Sequence, residues 1–142
     1  MTDKKNMNEH SSMVDNIITV LLIDDEPEVA GQIRRMLTVE NEIAFHYCQN
    51  PTVAIRMALK IKPTLILQDL YMPQMDGLKL IKSIRASEEL KDVPLIVLVT
   101  KDETAIKAES LSLGANDYLI KIPDRNELIA KIKSLTGDNK KA

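Results

Sequence analysis

The chain has 142 residues, 44% of them hydrophobic, which suits one domain with a sizeable core. A formal net charge of -2, an aromatic content of 3% and no tryptophan argue against a nucleic-acid surface or a stacking platform for single strands. The lone cysteine, Cys48, excludes an internal disulfide or multi-cysteine zinc site; the N-terminus lacks a signal peptide's apolar core, and no apolar run approaches the ~20 residues of a membrane helix, so a cytoplasmic protein is expected.

Residues 1–17 are polar and without a clear period, and read as a flexible leader. Residues 19–23 form a continuous apolar run, as in a strand covered on both faces, and end at Asp24-Asp25. Pro27 sits in the first turn of a helix, where its missing N–H costs nothing, and Val29, Ile33, Met36 and Leu37 form its buried stripe. Residues 42–48 alternate and suggest a strand toward the sheet edge. Asn50 caps a second helix with Pro51 at its start; Ala54, Met57, Ala58 and Ile61 line its inner face, and Pro63 ends it.

The strand over 64–69 carries Leu65, Ile66 and Leu67 and runs out at Asp69. Pro73 and Gly77 punctuate the following loop, and Leu78, Ile81 and Ile84 support a third helix opening at Gly77. A fourth strand covers 93–100, with Pro94 tolerated only at its start. A fourth helix over about 103–113 stops at Gly114; its stripe of Ile106, Leu111 and Leu113 is the weakest of the five. Tyr118-Leu119-Ile120 is a short fifth strand ending at Lys121. Asp124 and Glu127 start the last helix in the manner of a capping box, with Leu128, Ile129, Ile132 and Leu135 inside.

Five alternations of strand and helix mean a parallel sheet with right-handed crossovers. The strands end at Asp24-Asp25, Asp69, Thr100 and Lys121, so three carboxylates, a hydroxyl and an ammonium converge on one sheet edge, where ligands of open α/β sheets collect. Crowded carboxylates raise each other's pKa, and a hard divalent cation such as Mg²⁺ (or Mn²⁺) removes that conflict. Asp25 and Asp69 would hold it, with Asp24 reaching it through water. Lys121 and Thr100 then offer a charge and a hydrogen bond to an incoming phosphoryl group, and a carboxylate can itself be the acceptor. Taken alone, Asp24-Asp25 would be an ordinary helix cap and Tyr118 a core residue; the full set favours the site. The charges on the fourth helix, Lys107 and Glu109, read as a solvated face.

The set Asp24-Asp25, Asp69-Leu70-Tyr71-Met72-Pro73-Gln74-Met75-Asp76-Gly77, Thr100 and Tyr118-Leu119-Ile120-Lys121 resembles the receiver domain of bacterial two-component response regulators, over residues 18–136, leaving 137–142 as a tail. The resemblance implies a flavodoxin-like (βα)5 three-layer sandwich with a parallel sheet of order 2-1-3-4-5. It implies Asp69 as phosphoacceptor and Asp24, Asp25, Asp69 and the Tyr71 carbonyl as Mg²⁺ ligands. It further implies Lys121 as phosphate partner, Thr100 and Tyr118 as switch residues, and an output surface of helix 4, strand 5 and helix 5. Such a domain is a signalling phosphoacceptor that catalyses only its own phosphorylation and slow dephosphorylation. Its partners would be a sensor histidine kinase or phosphotransfer protein, and an output domain, partner protein or second copy; direct nucleic-acid or membrane contact is not expected.

A finer similarity, over residues 63–70, 100–103 and 114–124, is to receivers of Wsp-type diguanylate-cyclase response regulators, whose Gly-Gly-Asp/Glu-Glu-Phe segment does not occur before Ala142; either a stand-alone receiver or the truncated receiver of a diguanylate cyclase is expected. Three departures stand out. Lys101 follows Thr100 where a small residue is common. Ile122 separates Lys121 from Pro123, so a cis peptide after the lysine is not expected. Tyr71 is bulky for its place and would slow attack by water. Two other functions compete. A phosphohydrolase with an aspartyl phosphate wants a second acid two residues after the nucleophile, where Tyr71 stands. A cofactor-binding flavodoxin-like module wants a Gly-rich phosphate loop, and the four glycines form none.

Overall fold

A computed structural model describes residues 17–137. The expected leader and tail lie, apart from Ile17 and Gly137, outside the described residues. The five main strands are β1 (Ile18–Ile23), β2 (Ile43–Cys48), β3 (Leu65–Asp69), β4 (Leu95–Val99) and β5 (Asp117–Ile120). All neighbours pair in parallel, in the order β2-β1-β3-β4-β5. The helices are α1 (Pro27–Leu37), α2 (Ala54–Ile61), α3 (Gly77–Ala86), α4 (Thr104–Ser112) and α5 (Arg125–Leu135). This is the doubly wound, flavodoxin-like arrangement that the strand and helix alternation implies.

Burial explains why the inner strands read as largely apolar runs. Every residue of β3 and β4 is buried, because successive side chains enter opposite layers and both are covered. Val20, Leu22, Leu67, Ile96 and Leu98 enter one layer, closed by Ile33 and Leu37 of α1 and Leu128 and Ile132 of α5. Leu21, Ile23, Ile66, Val97 and Val99 enter the other, closed by Ala54 and Ala58 of α2 and Leu80, Ile81 and Ile84 of α3. The edge strands β2 and β5 are only partly covered.

Several boundaries differ from expectation for local reasons. The Asn50 side chain accepts from the Thr52 amide, but what it caps is a 3-10 turn over Pro51–Val53; the α-helix begins one turn later. Strand β4 excludes Val93, Pro94 and Thr100. The Pro94 carbonyl still accepts from the Ile66 amide, so the chain is already aligned before regular pairing starts. In α4 the weak stripe is weaker still: Ser110 is its buried residue, Ile106 and Leu113 are half-buried, and Leu111 faces solvent. A short hairpin of Tyr71–Met72 and Met75–Asp76, not expected, closes the loop after β3. The peptide bond Lys121–Ile122 is cis, against expectation.

Two glycines are required where they stand. A Cβ on Gly77 would lie 2.5 Å from the Leu70 carbonyl oxygen and 2.7 Å from its Cα, so the loop can close on the start of α3 only without a side chain. Gly114 ends α4 at φ 125°, and its carbonyl accepts from the Arg85 guanidinium at 3.0 Å. The Asp76 carboxylate accepts from the Leu78 amide and caps α3; the Asp124 carboxylate accepts from the Asn126 and Glu127 amides and caps α5.

Candidate functional site

The site forms where β1, β3, β4 and β5 run out together. Asp24 and Asp25 follow β1, Asp69 is the last residue of β3, Thr100 follows β4 and Lys121 follows β5. Asp24 is fully buried, Asp69 is 5% exposed and Asp25 is half-buried. Their carboxylates each offer an oxygen within 4.8 Å of the others. Lys121 is placed by its amide, which donates to the Val99 carbonyl at 2.8 Å and extends the β4–β5 ladder by one step. Its Nζ then reaches 3.2 Å from Asp24 Oδ2 and 3.3 Å from Asp69 Oδ2. A cleft of about 590 Å³ opens over this group, and Asp25, Asp69, Tyr71, Thr100 and Lys121 all line it.

Five of the expected site residues therefore share one cleft wall with Asp24 buried beneath them. Tyr71 stands at the rim, 61% exposed. Thr100 is exposed at the mouth, its amide donating to Glu103 Oε1 at 2.8 Å. Tyr118 is not among the cleft-lining residues. It pairs in register with Val97 and packs half-buried on the α3/α4 layer. Lys107 Nζ lies 4.1 Å from its ring centroid, and Lys131 Nζ 5.8 Å. Lys107 is thus not merely a solvated charge on α4.

Three contributors carried no clear signal in the sequence. Glu26, directly after the acid pair, places Oε1 2.9 Å from Lys121 Nζ. Glu103 holds the Thr100 amide. Gln68, a polar residue inside a wholly buried strand, donates from Nε2 to the Gly77 carbonyl at 2.9 Å and so fastens the loop that follows Asp69. A glutamine in an otherwise apolar run was the available clue to the last of these.

The electrostatics follow from burial. The Asp69 carboxyl is pushed up to about 6, first by burial and then by the charge of Asp24, with Lys121 opposing. Asp24 is also raised, again by burial first, against its bond from the Glu26 amide and the charge of Lys121. Burial pulls Lys121 down, but Glu26, Asp69 and Asp24 outweigh it and hold the ammonium above its ordinary range. Among the described residues, three carboxylates pair with one ammonium and a fourth, Asp25, lies beside two of them, so the cluster is short of positive charge. Asp24 Oδ2 is within ion-pair distance of Lys121 yet accepts no well-directed hydrogen bond. A buried, under-satisfied carboxylate oxygen beside two more carboxylates is a donor set that fits a hard metal ion, and Asp24, Asp25 and Asp69 can bind one.

The response regulator receiver domain model matches residues 20–133. With the doubly wound sheet and the acid–lysine cleft, this shows that the chain belongs to the receiver domain family of two-component response regulators. It is 37% identical over 103 residues to transcriptional regulatory protein YdfI of Bacillus subtilis, covering 72% of this chain and 47% of that protein. It is 34% identical over 120 residues to the phosphate regulon transcriptional regulatory protein PhoB of Pseudomonas aeruginosa, covering 82% of this chain and 51% of that one. The chain spans about half the length of these curated relatives. Among solved structures, the receiver domain of a sensor histidine kinase from Pseudomonas aeruginosa PAO1 superimposes with a TM-score of 0.76 at 28% identity, covering 84% of this chain and 97% of that one. That structure has a magnesium ion coordinated in its active site cleft. No helix among the described residues is long and apolar enough to cross a membrane.

Proposed function

We propose that Asp69 is the phosphoacceptor of a single receiver domain spanning 18–136, and that a sensor histidine kinase or phosphotransfer protein supplies the phosphoryl group. One observation carries this reading: Asp69 ends β3 with its carboxylate 3.3 Å from Lys121 Nζ, facing an open cleft beside two further acids. A carboxylate oxygen of Asp69 attacks phosphorus, the P–N bond to the donor imidazole breaks, and the imidazole nitrogen keeps the electron pair. Lys121 is positioned to pair with an oxygen of the transferred group, and Thr100 at the cleft mouth to donate a hydrogen bond to another.

Asp24, Asp25, Asp69 and the Tyr71 carbonyl would hold Mg²⁺ (or Mn²⁺), in keeping with the magnesium in the cleft of the Pseudomonas aeruginosa neighbour. The ion would neutralise the acids and the charge of the phosphoryl oxygens. The domain then catalyses only its own phosphorylation and slow dephosphorylation. Tyr71, exposed at the rim, limits approach of water to the acyl phosphate.

The readout runs through Thr100 and Tyr118 to a surface of α4, β5 and α5. The poor buried stripe of α4 makes it the element that moves most easily. The similarity to Wsp-type receivers supports a diguanylate-cyclase output in the cytoplasm, whereas the relatives named as transcriptional regulatory proteins support an output that regulates transcription. Either output could act through a second copy of the domain.

Incubation with acetyl phosphate and Mg²⁺ tests the acceptor. A labile adduct of about 80 Da, one phosphoryl group as expected for acyl-phosphate chemistry, should form on the wild type and be absent from Asp69→Asn. An adduct that survives in Asp69→Asn would refute the assignment, and turnover of many unrelated phosphate esters would favour a hydrolase.

A further inference from the structure

Glu26 stands at the N-cap of α1, yet its carboxylate makes no capping bond to its own helix. It turns instead across the cleft to Lys121, and its 2.9 Å contact is shorter than those of Asp24 and Asp69 at 3.2 and 3.3 Å. The three partners of Lys121 differ in freedom. The Asp24 and Asp69 side chains are 0% and 7% exposed and fixed by the sheet, whereas that of Glu26 is 57% exposed. Among the described residues, Glu26 is therefore the anion on Lys121 whose side chain is free to turn away into solvent. It lines the same cleft as Asp69 and Thr100, where an incoming phosphoryl oxygen must meet the ammonium.

From this geometry we propose that Glu26 is a displaceable internal anion that holds Lys121 in the unphosphorylated state and must release it before a phosphoryl group can be seated. The inference rests on Asp69 being the acceptor. Glu26 is a positioning residue: it acts on Lys121 and leaves the reacting atoms untouched. A solvent-exposed carboxylate on a lysine is a weak competitor, so the gate is a modest one, shifting anion binding by roughly two- to fivefold. Displacement frees the Glu26 side chain to turn into solvent, so the first turn of α1 should report seating of the anion even though it does not touch it.

Beryllofluoride, a non-covalent phosphoryl mimic, tests this without turnover. The full chain in saturating Mg²⁺ is titrated and followed by amide chemical shifts, for wild type, Glu26→Gln, Glu26→Asp and Asp69→Asn. Thermal melts confirm that each variant is folded. Glu26→Gln should bind roughly two- to fivefold more tightly than wild type. Glu26→Asp keeps the charge but is one methylene shorter, so it loses the direct contact and should fall between the two. Equal or weaker binding by Glu26→Gln overturns the gate while leaving Asp69 as acceptor. A Glu26→Asp affinity no better than wild type assigns the effect to charge alone and also overturns it. Failure of the wild type to bind, or undiminished binding by Asp69→Asn, removes both the gate and the acceptor assignment on which it stands.

Discussion

Without a metal ion, the charge on Asp69 should work against the fold, and neutralising it should stabilise the protein. The Asp69 carboxyl is pushed from 3.8 up to about 6 by burial and by Asp24, with the help of Lys121 already counted against that rise. The folded state therefore holds the proton more tightly than the unfolded chain does. Between about pH 4 and 6 the native state binds more protons, so stability falls as pH rises through that window and the full cost is present above it. A shift from 3.8 to about 6 corresponds to about 3 kcal/mol. Asp69→Asn keeps the shape and removes the charge, while Lys121 keeps Asp24 and Glu26 as partners. Its gain over wild type should be roughly 1–3 kcal/mol at pH 7.5 and should vanish toward pH 4. Urea denaturation in EDTA at several pH values measures this, and the difference between the two proteins cancels every group that does not interact with Asp69; Asp24 and Lys121, which do, titrate as part of the same cluster. A variant no more stable than wild type at pH 7.5, or a difference that does not change between pH 4 and 7, would refute the assignment of a strained carboxylate cluster.

Mg²⁺ should raise the melting temperature of the wild type, since binding only the native state stabilises it by about 2.7 kcal/mol at a hundredfold excess over Kd; Asp25→Ala should blunt the response, and an unchanged response would count against a metal at this site. Gly77→Ala should cost roughly 1–3 kcal/mol in a urea melt, because its Cβ would meet the Leu70 backbone at 2.5–2.9 Å and backbone cannot step aside as a side chain does. Thr100→Ala should still take up phosphate from acetyl phosphate but transmit it poorly. Hydrogen exchange with and without beryllofluoride should show changes in α4, β5 and α5 for the wild type and much smaller ones for the variant; equal changes in both would exclude Thr100 as the coupling residue.

The local features that decide the fold lie open in the sequence. A strand covered on both faces is apolar along most of its length, so residues 20–23, 65–67 and 95–99 announce central strands. Amphipathic helices between them point to a parallel sheet that buries both kinds of element, and the strand ends then name Asp24, Asp25, Asp69, Thr100 and Lys121 from the sequence alone. What lies between those residues was not legible, because it depends on distances across the sheet. Glu26 and Lys121 are 95 positions apart and follow strands separated by β3 and β4, yet the two loops lean together over the cleft. Lys107 looks like a solvated charge along α4 and becomes a partner of Tyr118 only because α4 settles beside β5. The raised carboxyl of Asp69 has the same origin: any strand-end aspartate has the same covalent chemistry, and its proton affinity is set by how much water the surrounding layers remove and which charges they leave beside it. Patterns of residues along the chain specify which groups meet; burial and separation, which only the folded chain possesses, decide how strongly they act on one another.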